Sequence, residues 1–194
     1  MDEGVDPLQQ IEILARHADV KDGGAGGAAG LRARLAAATL AGPATARLVA
    51  AGDEAGISLA AARAAGIYPA DYRFTACPID RVVDDCETLA IGELEILAIA
   101  TPGHSADHFS YLVRRGGRRW LAAGDAVFHG GRIALQDTWD CSLQDSIRSL
   151  RRLAGLEFDA LLPGHYAFAL QRGRRQLEAA LARPERMLPP PQLA

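Results

Sequence analysis

The sequence predicts a mixed α/β fold, and three observations predict it. The first half of the chain is alanine-rich with helical apolar spacing, a series of short β-rich runs begins at Arg81, and the carboxyl-terminal third returns to helical periodicity around one buried run, FDALL. With 194 residues and 49% hydrophobic content, the chain has the size and the core of one domain, spanning residues 1–194 with a loose tail from about residue 184.

The elements follow in order. Asp6-Pro7 has the form of a helix cap followed by proline in the first turn, and it leads to the apolar run IEILA at residues 11–15, a strand. A polar, glycine-dense loop, RHADVKDGGAGGAAG, precedes LRARLAAATL, whose Leu31, Leu35 and Leu40 fit a helix running into a strand. Pro43 starts a second helix, and Ser58 is placed to cap a third. From Arg81 the runs RVV, ETLAI, ELEILAIA, FSYLVRR and RRWLAAG, separated by glycine turns, predict an antiparallel meander. Residues 143–156 carry helical spacing, with Arg148, Arg151 and Arg152 on its solvated face, and residues 169–183 predict a last amphipathic helix.

Composition narrows the partners. A net charge of −3 leaves no basic footprint, so nucleic acid is not expected. No apolar run reaches the roughly 18 residues that cross a bilayer, and the acidic start is unlike a secretory signal. Cys77, Cys86 and Cys141 are odd in number and lack paired spacing, which favours reduced thiols and a cytoplasmic location.

Three segments carry the chemistry: TPGHSADH at 101–108, AGDAVFHGG at 123–131 and LLPGHY at 161–166. Each sets a polar residue, His104, Asp125 or His165, just past a strand-like run and directly after a glycine that lets the backbone turn. Neutral imidazole and carboxylate together suit Zn²⁺, Fe or Mn²⁺, and a carboxylate can bridge two cations. Any one of the three alone reads better as a loop histidine or a turn aspartate bonded to backbone; three in this order favour a metal site. Around them, His108 reads as a hydrogen bonder behind the ligands, and His129 as a substrate contact or a turn residue. Tyr166 reads as an oxyanion donor or a core tyrosine, and Trp139 and Phe128 as pocket wall.

Taken in this order, TPGH with a second histidine four residues on, GD at the end of an apolar strand, and PGH near the carboxyl end resemble the metallo-β-lactamase fold superfamily, especially its glyoxalase II-like hydrolases. The resemblance implies an αββα sandwich with a metal site at one edge of the sheets. It implies His104 as a ligand of a first metal, Asp125 as a bridging ligand and His165 as a ligand of a second. It also implies hydrolysis of a small-molecule ester, thioester or lactone by a metal-bound water, with one or two Zn²⁺, or Fe or Mn²⁺, as cofactor.

The chain departs from the family at the front. Where members carry an HxHxDH run, this sequence has His17, Asp19, Lys21 and Asp22. Carboxylates still ligate hard cations, so His17, Asp19 and Asp22 form a candidate site of altered preference, with Asp22 also placed for a catalytic role beside Tyr166. Lys21 brings an ammonium that repels a nearby cation. The other reading of these residues is a solvated loop. Only one strand precedes His17, so the amino-terminal sheet is expected to be incomplete, and the exposed apolar surface that this leaves predicts either a homo-oligomer or poor solubility.

Two other functions compete. A catalytically impaired relative with one metal or none would serve as a binding module. A dinucleotide site at Gly24, Gly26 and Ala29 is the weakest reading, because the polar stretch 16–23 separates those glycines from the strand and no alternating βαβ units follow.

Overall fold

The computed structural model describes residues 27–66 and 68–193. Helix α1 (Ala28–Leu35) leads through a left-handed Ala36 to strand β1 (Leu40–Ala41), followed by α2 (Pro43–Ala51) and α3 (Leu59–Ala64). Strand β2 (Arg81–Val82) pairs in parallel with β1 to make a two-stranded sheet. The expected strand at 11–15 and the Asp6-Pro7 cap lie outside the described residues.

The main sheet has five strands: β3 (Thr88–Ile91), β4 (Leu94–Ala100), β5 (Phe109–Arg115), β6 (Arg118–Gly124) and β7 (Ala160–Pro163). They lie in sequence order, β3 to β6 antiparallel and β7 parallel to β6. The meander expected from Arg81 onward is present in β3 to β6 but not at its first run, RVV, because Asp80 N donates to Thr39 O at 2.9 Å and Val83 N to Ala41 O at 3.0 Å, which draws that run into parallel pairing with β1. Helix α4 (Leu143–Ala154) provides the crossover that a parallel β6–β7 pair requires. Helix α5 (Arg174–Leu181) and a 3₁₀ turn (Pro184–Arg186) follow.

Both faces of this sheet are buried, which explains why its strands read as continuous apolar runs. One face sets Ile99, Leu112, Leu121 and Leu161 against Leu150 and Leu153 of α4 and Leu177 of α5. The other gathers Ile96, Tyr111, Val113 and Leu162 with Val83 and the partly buried Leu40 from the β1–β2 region. The one-residue alternation Leu161/Leu162, or Leu112/Val113, sends neighbours to opposite cores. The architecture is thus mixed α/β, as the sequence predicts.

Several expectations need correction. Ser58 precedes α3 but in a left-handed conformation with no side-chain cap, because the preceding turn is closed by Asp53, which accepts from Gly56 N at 3.0 Å. The last helix begins at Arg174, not at 169. Ala169 exchanges two 2.9 Å hydrogen bonds with Leu161 and so extends the sheet, and left-handed Arg172 then turns the chain into the helix. The tail is held rather than loose: Ile133 N donates to Pro191 O at 2.8 Å and Leu193 N donates to Ile133 O at 2.9 Å. Arg152 is not merely solvated, for it donates to Ala100 O at 3.0 Å and pairs with Asp85 at 2.8 Å, fastening α4 to the end of β4.

Candidate metal centre

Topology decides which residues meet. Strands β4, β6 and β7 point the same way, so the turns after them, carrying His104, Asp125 and His165, all emerge at one edge of the sheet. The antiparallel β5 begins at that same edge, which places His108 beside them.

Asp125 lies at the centre. Its Oδ2 stands 3.8 Å from His104 Nε2 and 3.4 Å from His165 Nε2. The Asp125 and His104 side chains are almost wholly buried, while that of His165 is 45% exposed and forms the open side. At 3.8 Å the His104 contact is too long for a hydrogen bond. Two donors about 2.1 Å from a shared tetrahedral cation stand about 3.4 Å apart, so these spacings fit ligands better than they fit a hydrogen-bonded pair.

The protonation of His104 follows from its neighbour. Its Nδ1 lies 3.1 Å from Ala134 O, and since a carbonyl only accepts, Nδ1 carries the proton. In the neutral ring Nε2 then turns a lone pair towards Asp125, the form a metal ligand requires. Among the described residues no set of three or more His, Cys, Asp or Glu closes around a single point. The three side chains instead make two donor pairs that share the Asp125 carboxylate.

His108 is a hydrogen bonder behind this carboxylate, and its network has one consistent direction. Asp125 N donates to His108 Nε2 at 3.0 Å, so Nδ1 carries the proton and donates to Thr101 Oγ1 at 2.7 Å. Ser110 Oγ donates to Ala123 O at 3.1 Å, which leaves the Thr101 hydroxyl to donate to Ser110 Oγ at 2.9 Å. Four buried polar groups thus satisfy one another and pin the backbone at Asp125 to the strand beneath it.

The loop holding His104 is seated on α4. Ser142 caps that helix by accepting from Asp145 N, and its own N–H donates to Gly103 O at 2.7 Å. Ser149 Oγ donates to Pro102 O at 2.6 Å. Gly103, at φ 145°, lies so close to Ser146 that an added Cβ would stand 2.4 Å from its Oγ. On the other side Asp107 Oδ2 accepts from Thr45 N at 2.7 Å and caps α2, whose own preceding residue is Gly42. Sequence reasoning missed Ser142, Ser146, Ser149 and Asp107. The serine spacing on α4 was a signal for the first three, whereas the Asp107 cap joins residues far apart in the chain.

The remaining sequence-predicted residues divide. Tyr166 adjoins the site at φ 66°, 70% exposed, with its ring edge-on to Phe128 at 5.7 Å, so it is not a core tyrosine. Phe128 lines the adjoining cavity, as do His165 and Tyr166; Trp139, also expected there, is not among the lining residues. His17, Asp19, Lys21 and Asp22 lie outside the described residues. No helix among the described residues is long and apolar enough to cross a membrane.

The family model of the metallo-beta-lactamase superfamily matches residues 25–165, a span that contains His104, Asp125 and His165 and starts after residues 17–22. The beta-lactamase-like protein 2 homolog of Caenorhabditis elegans is 35% identical over 83 residues, 43% of this chain and 26% of that protein. An atrochrysone carboxyl ACP thioesterase of Aspergillus fumigatus is 27% identical over 50% of this chain and 28% of its own length. A hydroxyacylglutathione hydrolase of Rhodospirillum rubrum is 36% identical over 39% of this chain and 28% of its own length. The chain thus spans about a quarter of the curated relatives it matches. Among solved structures, the BLEG-1 B3 metallo-beta-lactamase aligns with a TM-score of 0.61 at 19% identity, over 86% of this chain and 80% of that one. The protein TTHA1623, crystallised in a di-iron-bound form, aligns at 0.57 and 21% identity over 86% and 81%. At these identities the structural likeness speaks for the fold alone. With the model matching most of the chain, and three strand ends meeting at one sheet edge, the chain belongs to the metallo-beta-lactamase superfamily.

Proposed function

We propose that this protein is a metal-dependent hydrolase of a small-molecule thioester, lactone or related ester. The observation that carries the reading is the buried Asp125 carboxylate set between two imidazole nitrogens at 3.8 and 3.4 Å. The donor set of neutral imidazole and carboxylate fits Zn²⁺, with Fe or Mn²⁺ as alternatives. His104 and Asp125 would hold one cation, and Asp125 and His165 a second. His17, Asp19 and Asp22 are proposed to complete the first set. A bound cation of this class acidifies a coordinated water towards neutrality and polarises a carbonyl.

The chain's own residues then have distinct tasks. Ala134 O keeps the His104 proton on Nδ1, and the His108 network holds the Asp125 backbone so that its carboxylate faces both imidazoles. Tyr166, exposed and with its ring against His165, would donate a hydrogen bond to the oxyanion that develops on the substrate carbonyl. Asp22 is proposed as a proton acceptor in the first motif.

Relatives support the substrate class, since those matched include a thioesterase and a hydroxyacylglutathione hydrolase. The test is turnover of thioester and lactone panels by the wild-type chain and by Asp125→Ala. Loss of at least about 100-fold in kcat/KM is expected, because the substitution removes the one ligand that both donor pairs share. A wild-type chain that binds metal yet turns over no member of the panels would favour the binding-module reading, which Lys21 motivates.

A further inference from the structure

Beside His165 the molecule has a hollow of about 620 Å³ lined by Phe128, Leu135, Tyr166, Gln192 and Leu193. Apart from His165, none of the described residues lining it is ionisable near neutral pH. A second hollow of about 260 Å³ adjoins it and shares Phe128, Tyr166 and Leu193 as a common ridge. Its character differs, because Arg132 and His129 line it. Among the described residues neither hollow is lined by an aspartate or a glutamate, and Arg132 forms no ion pair.

This arrangement is built rather than draped. The turn carrying His129 and Arg132 is closed by Phe128 N donating to Arg132 O at 2.8 Å and by Gly131 N donating to Phe128 O at 3.0 Å. It is held against α5, where Gly130 N donates to Gln176 Oε1 at 2.7 Å and a Cβ on Gly131 would stand 2.4 Å from Ala180 N. The ridge residue Leu193 comes from the tail, which Ile133 holds through two backbone hydrogen bonds. The residue after Ile133 is Ala134, whose carbonyl orients His104. One segment therefore carries both the pocket wall and the support of the candidate ligand.

From these facts we infer that the site takes an acyl compound with an apolar chain and an anionic end. The chain lies on Phe128, Leu135 and Leu193 in the larger hollow, and the anionic group crosses the ridge to Arg132. Away from its His165 end the larger wall carries no basic side chain among the described residues, so a compound bearing anionic groups along its whole length is disfavoured, because those charges would be desolvated without a side-chain partner. The inference deepens the hydrolase reading and rests on it for the reaction, though not for the binding.

The test is calorimetric titration of the full-length chain with octanoate, butyrate and 1-octanol, with metal content checked in every variant. Affinity should rise about threefold for each methylene added between butyrate and octanoate. Arg132→Ala should weaken octanoate about fivefold and leave 1-octanol unchanged, and Arg132→Lys should restore most of the loss. Leu193→Asp should weaken octanoate and 1-octanol together. Affinity that does not depend on chain length, or octanoate binding that Arg132→Ala leaves untouched, would overturn the inference. Ester turnover is read separately: its absence alongside length-dependent binding sinks the hydrolase reading only, and turnover without such binding sinks this inference only.

Discussion

Gly164 shows why a single missing side chain matters at this centre. Its backbone is not left-handed, unlike that of Gly124, so conformational freedom does not explain it. A Cβ built there would stand 2.5 Å from Asp125 Oδ1. Gly164→Ala must therefore push the shared carboxylate away from His104 and His165. The expected result is at least a tenfold loss of metal affinity with an unfolding cost of only about 1–3 kcal/mol, read by metal titration and thermal unfolding of the same sample. Unchanged affinity would mean that the Asp125 position does not govern binding. His104, Asp125 and His165 were legible in the sequence because each follows a glycine at a strand end. The Ala134 carbonyl and the direction of the His108 network were not, since a backbone acceptor leaves no trace in residue identity and tautomers follow only from distances.

Among the elements, α1 and α3 are each tied to later segments by one carboxylate. Asp80 accepts from the Arg32 guanidinium of α1 and from Thr39 N at 2.8 Å, and these bonds, Arg32 foremost, hold its carboxyl well below the usual range. Glu54 accepts from Phe74 N at 2.9 Å and from Arg63 of α3 at 2.8 Å, and the backbone bond foremost lowers its carboxyl as well. A carboxyl depressed in the folded state stabilises the fold above its ordinary value near 4, and that contribution is lost as pH falls below it towards the folded value. The expected outcome is that the wild-type melting temperature declines between pH 5 and about pH 2 more steeply than that of Asp80→Asn; equal slopes would contradict it. At this scale the sequence was a good guide where a local signal decided the matter, as at Pro43 of α2 and in the apolar spacing of α4. It misled where distant partners intervened: Ala169 joins Leu161 instead of starting a helix, and Ile133 captures a tail that its prolines made look loose.

For the whole molecule, the four antiparallel strands β3 to β6 were legible from their glycine turns and apolar runs, and FDALL was legible as a buried strand, whereas its parallel pairing with β6 was not. Which face each residue joins was not written in strands where both faces are buried, because alternation in polarity is then absent. The central claim is that His104, Asp125 and His165 hold a cation at one edge of the sheet. Elemental analysis of the purified wild-type chain beside Asp125→Ala tests it most directly. The account predicts one or two metal ions per wild-type chain and the loss of at least one in the variant; equal metal content in the two proteins, or none in either, would contradict it.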